Sequence, residues 1–159
     1  MTTPQLSERE SKALAIATHT QLVRKPNNTW IVPSQSGPKT YTVNPDPQSP
    51  FCDCPDFEFR RARCKHVLAV EIILKREIML TRAIETLSRA RLYLSQSNFG
   101  LAKIDVQSAR SILAELSTEA PPYQVNAFDQ IIGRLDLALG NLPPSPLSRW
   151  MMWILHGNC

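Results

Sequence analysis

At 159 residues with 43% hydrophobic content, the chain is long enough to bury a core in one domain with an appendage, and its composition is neither collagen-like nor that of a disordered polymer. The formal net charge of +4 is mild, but the basic residues Arg60, Arg61, Arg63, Lys65, Lys75, Arg76, Arg82, Arg89 and Arg91 crowd the middle third, a distribution better suited to a polyanion than the net figure suggests. No uncharged apolar run reaches membrane-spanning length, and the start MTTPQLSERESKALA lacks the charged end and apolar block of a secretory signal, so no membrane association and an intracellular location, cytoplasmic if prokaryotic, are expected.

Ser7 and Glu10 form an S-x-x-E capping pattern ahead of SKALAIATH, where Leu14, Ala17 and nearby Ala13 can share a face; a short helix is expected over about 7–19. Three short β-branched or aromatic runs follow, QLVRK, NTWIV and TYTVN, separated by Pro26-Asn27-Asn28 and by SQSGPK. They predict a three-stranded antiparallel meander with Trp30 and Val32 on one face and Tyr41 and Val43 across from them. NPDPQSP, with three prolines, is a stiff lead into the next segment and no central strand.

After Cys64 no glycine or proline interrupts residues 65–99, and apolar positions recur at Val67, Val70, Ile73, Leu74 and Ile78, then Leu80, Ile84, Leu87 and Leu94. That pattern is one long helix or two with a bend near Leu80. Two further helices are expected over 101–117, with the stripe Ala102, Val106, Ala109, Leu113 and Leu116, and over 123–139, with Val125, Phe128, Ile132, Leu135 and Leu139. Gly140-Asn141 before Pro143-Pro144 stops the last one. The expected class is therefore α+β: 1–80 holding helix, meander and a cysteine-rich finger at about 28–78, a helical hairpin or bundle over 81–142, and a proline-led apolar tail over 143–159. In the tail Trp150, Met151, Trp153, Ile154 and Leu155 either dock on the bundle or bind a partner.

The stretch CDCPDFEFRRARCKH carries the chemistry. In a reducing compartment Cys52, Cys54, Cys64 and His66 have the composition of a zinc site. Tetrahedral geometry brings two ligating sulfurs to about 3.8 Å. Residues i and i+2 of a straight strand lie about 6.6 Å apart. Cys52 and Cys54 must therefore curl together at a strand end, a turn that Pro55 favours. Positions i and i+2 of a helix lie about 200° apart, which puts Cys64 in the loop before the helix and His66 in its first turn. A redox pair would show C-x-x-C, and a nucleophilic cysteine would not stand beside two more thiols, so a structural site closed by four protein ligands is expected rather than an open catalytic one. Zinc held by three thiolates makes the loaded protein about one charge less basic. Cys159 is expected to be a free thiol, and His19 and His156 are isolated in the sequence.

With C52-D-C54, a nine-residue spacer and C64-K-H66 followed by VLAVEIILKRE, the segment resembles the SWIM-type zinc finger, whose pattern is C-x-C, a variable spacer, then C-x-H. The upstream TWIVPSQSGPKTYTVNPD resembles SWIM segments of mobile-element proteins, including transposases. The resemblance implies Cys52, Cys54, Cys64 and His66 as Zn2+ ligands and a module that binds DNA or protein. No catalytic transposase domain, carboxylate triad or P-loop is present, so no enzyme is expected.

Arg60, Arg61, Arg63 and Lys65 are the expected nucleic-acid contacts, with Phe57 and Phe59 interleaved and Phe57 assigned to the core. The alternative is a zinc-stabilised adaptor that contacts a protein partner through the helical half and the Trp150/Trp153 tail, without touching nucleic acid.

Overall fold

In the computed structural model, which describes residues 7–143, the chain runs α1 (Glu8–His19), β1 (Val23–Arg24), β2 (Trp30–Pro33), β3 (Thr40–Asn44), β4 (Phe51–Cys52), α2 (Pro55–Arg60), α3 (Lys65–Ser95), α4 (Phe99–Thr118) and α5 (Pro122–Asn141). Two compact units divide between Glu77 and Ile78, inside the residue range of α3.

In the first unit, α1 starts where its capping pattern requires. The Ser7 hydroxyl accepts the Glu10 N–H at 3.3 Å, and the Glu10 carboxylate accepts the Ser7 N–H at 2.8 Å, which satisfies two donors that the first helical turn otherwise leaves open. Its inward face is centred on Ala13 and Ile16, both buried, while Leu14 and Ala17 are half-buried at the edge.

The sheet is antiparallel in the order β1-β2-β3-β4, with Trp30 opposite Val43 and Val32 opposite Tyr41. Alternation then sends Trp30, Val32 and Val43 into one buried layer. The expected meander of three strands gains a fourth: Cys52 pairs with Val43 and Phe51 with Asn44. Two residues behind a proline-rich lead are too short to display a period. Helix α2 is likewise an addition to the expected elements; Cys54 caps it, Pro55 begins it, and Arg61 closes it at φ 50°. The core joins Ala13 and Ile16 to the sheet layer, Phe57, Val67, Ala69, Val70 and the three cysteines.

The second unit contains the rest of α3, then α4 and α5. No break occurs near Leu80: α3 is one helix, as the absence of glycine and proline allows. Asn98 caps α4 by accepting the Leu101 N–H at 3.3 Å. The α4 stripe Ala102, Val106, Ala109, Leu113 and Leu116 is buried throughout. Its partner stripe on α5 is only half-buried, and no α5 residue is fully covered. Ala83, Leu113 and Leu116 form the centre of this core, with Met79, Ile112, Phe128, Ile132 and Leu135 against them. Arg89 grips Asp105 with two bonds at 2.7 and 2.8 Å, and Arg110 pairs with Asp136, tying α3 to α4 and α4 to α5. The architecture is α+β, and no described helix is long and apolar enough to cross a membrane. Trp150, Met151, Trp153, Ile154, Leu155, His156 and Cys159, with the expectations attached to them, lie outside the described residues.

Candidate metal centre

Two short stretches of backbone, 52–54 and 64–66, converge on one point. Cys52 ends β4, Cys54 is the N-cap of α2, Cys64 immediately precedes α3, and His66 lies in the first turn of α3. Asp53 holds the C-x-C turn against β3: its carboxylate accepts the Thr42 N–H at 2.8 Å, and its own N–H donates to the Thr42 carbonyl at 3.3 Å. That anchorage produces the curl at a strand end which straight strand geometry forbids.

The donor atoms of Cys52, Cys54, Cys64 and His66 all lie within 4.8 Å of one another, and all four side chains are buried. His66 points Nδ1 inward, 3.9 Å from both the Cys52 and the Cys64 sulfur. Bond lengths of about 2.3 Å to sulfur and about 2.0 Å to nitrogen, at the tetrahedral angle, require about 3.6 Å between such a pair. Three soft thiols, one imidazole and this spacing therefore fit Zn2+ held by Cys52, Cys54 and Cys64 through Sγ and by His66 through Nδ1. The ion would complete a closed structural site, linking the sheet to the starts of two helices.

The protein surroundings by themselves favour one thiolate, Cys64, while burial pushes the Cys54 thiol up. The Phe57 N–H donates to the Cys54 sulfur at 3.4 Å. Cys64 is drawn down to about 3, first because the Cys52 thiol donates to it, with His66, the Val67 N–H and Cys54 adding to the effect. Cys52 is pushed well up, first by acting as donor to Cys64 and then by burial. The site also sits at the N-terminus of α3, whose dipole favours negative charge.

Tyr41 stacks on the His66 ring with centroids 4.6 Å apart and planes at 33°. The His66 Nε2 is buried without a hydrogen-bond partner among the described residues, so this stacking fixes the ring plane where a carboxylate or carbonyl commonly would. Sequence reasoning misses both supports, Tyr41 and Asp53. The available signals were the face Tyr41 shares with Val43, which lies opposite Cys52, and an acceptor side chain between two cysteines.

Arg60, Arg61, Arg63 and Lys65 are gathered on the segment from the last turn of α2 to the first residue of α3, but they are not equally free. Arg60 lies 3.2 Å from Asp56 and Arg63 lies 3.5 Å from Glu71. Lys65 donates to the Gln35 side chain at 2.9 Å. Arg61 is exposed and has no ion-pair or side-chain partner among the described residues. The two phenylalanines part company: Phe57 is buried, whereas Phe59 is 87% exposed.

Residues 41–75 match the family model of the SWIM zinc finger, a span that contains all four donor residues and the segment between them. No curated protein and no solved structure matches the chain.

Proposed function

From a SWIM zinc finger over residues 41–75, we propose that this protein is a non-catalytic zinc module that binds nucleic acid, DNA foremost, through the segment joining α2 to α3. The carrying observation is the exposure of Arg60, Arg61 and Arg63 on that one segment, with Arg61 unpartnered among the described residues. Exposed ion pairs such as Arg60–Asp56 are worth only about 0–1 kcal/mol, so a phosphate can take over such a guanidinium, and each phosphate contact releases condensed counterions. Four protein ligands leave a zinc ion no open position for a substrate, which supports binding over catalysis. Its three thiol ligands need a reducing compartment, which supports an intracellular location. The likeness of TWIVPSQSGPKTYTVNPD to mobile-element SWIM segments supports a role as an accessory of mobile-element or DNA-processing machinery.

The test is binding of labelled single- and double-stranded DNA by the zinc-loaded chain across a salt series. Micromolar affinity that falls steeply with salt, and is lost in the Arg60→Ala, Arg61→Ala double variant with zinc retained, is expected. Negligible binding at low salt would overturn the reading. It would favour the adaptor, for which the specific observation is α5: Tyr123 is 77% and Leu137 69% exposed on a helix without a fully buried residue.

A further inference from the structure

Phe57 and Phe59 stand two positions apart on α2, which rotates them by about 200° and forces one inward and the other outward. Phe57 takes the inward place, where it meets Phe51 edge to face with ring centroids 5.9 Å apart. Phe59 is left as the most exposed large hydrophobic side chain among the described residues, at 87%. It contributes nothing to the core of the first unit. Directly after it come Arg60 and Arg61, with Arg63 two residues further on.

Resting on the nucleic-acid reading above, we infer that Phe59 is a base-stacking residue and that the finger's ligand is single-stranded rather than duplex nucleic acid. An aromatic face in water beside cationic side chains matches a polymer that alternates π-faces with phosphates. In a duplex those faces are stacked on one another, and a ring reaches one only by prying a base step open at a cost of about a few kcal/mol; in a single strand every base offers one. A protein partner fits this spot poorly. Phe59 is flanked in sequence by Glu58, Arg60, Arg61, Ala62 and Arg63, all exposed, and one helical turn back by Asp56, which pairs with Arg60; an apolar surface covering the ring would have to bury those charges as well. Glu58 cannot meet a phosphate, which leaves the phosphates to the arginines.

The experiment uses the full zinc-loaded chain with an oligothymidine of about a dozen nucleotides, a length within the range one such surface covers, and a duplex of equal length. Wild type is expected to prefer the single strand. Phe59→Leu keeps apolar bulk without a ring and should weaken oligothymidine binding about 10-fold, the size of one lost stacking contact, while duplex binding stays unchanged. Phe59→Trp should retain or tighten it. Zinc content and thermal melting should match wild type in both variants, because the side chain lies outside the core. Salt-dependent binding that Phe59→Leu leaves untouched, or a wild-type preference for duplex, would overturn the stacking assignment while the nucleic-acid reading stood. Absence of binding to either probe would overturn both.

Discussion

Arg61 occupies a conformation that costs an L-residue with a side chain. Its φ of 50° puts it in the left-handed region at the end of α2, the place where glycine is usual, and its N–H closes on the Phe57 carbonyl at 2.8 Å. A β-carbon there costs about 1–2 kcal/mol, and glycine would return about 0.5–1 kcal/mol of that in unfolded-state entropy. Arg61→Gly is therefore expected to leave the finger as stable or to raise its stability by up to about 1.5 kcal/mol, while nucleic-acid affinity drops. Thermal melting and DNA titration on the same sample check the opposition of the two effects; a fall in both would show that the guanidinium serves the fold. Cys54 is the converse case, a residue the fold cannot spare. Apparent zinc-binding free energies in finger peptides are about 10–16 kcal/mol, as large as the stability of a whole domain, so Cys54→Ser should leave the first unit without fixed tertiary structure. NMR dispersion together with zinc stoichiometry would show it; a dispersed spectrum with no bound zinc would refute a structural role for the metal.

Among the elements, legibility in the sequence followed length and locality. The α1 cap is two residues reading each other three positions apart, and β2 and β3 alternate over enough residues to declare their faces; Trp30, Val32 and Val43 were legible for that reason. The ligand set was legible because coordination geometry constrains spacing directly, including the placement of His66 in the first turn of α3. Strand β4 and helix α2 were not, since two residues carry no period and six complete fewer than two helical turns. The half-burial of α5 was also hidden: periodicity marks an apolar stripe but says nothing of how much a neighbour covers. At this scale the Arg89–Asp105 pair yields a pH prediction. The Arg89 guanidinium holds the Asp105 carboxyl below its ordinary value, so the ionised pair stabilises the fold above the unfolded pKa of about 3.9, and that contribution disappears as pH falls through the lower folded value. Asp105→Asn should thus cost stability at neutral pH and progressively less below about pH 4. Amide exchange within α4 is the right readout, because acid also strips zinc from thiolates. A cost that stayed constant across that range would mean the pair's charge is immaterial.

For the molecule as a whole, the two cores differ in kind. That of the first unit includes Cys52, Cys54 and Cys64 among its buried side chains, whereas that of the second is built from aliphatic and aromatic groups of three helices. Chelation is therefore expected to raise amide exchange across α1, the sheet and α2 while α4 and α5 remain protected; uniform loss of protection in both units would contradict separate cores. The convergence of four donors inside the first core has an outcome beyond structure. A fold that is complete only with its ion is subject to mass action: once free zinc exceeds the dissociation constant, each tenfold change in its concentration moves the stability of the first unit by about 1.4 kcal/mol. The fraction of chains with a formed finger is then set by the metal supply around the protein as much as by its sequence, and falls as that supply is depleted.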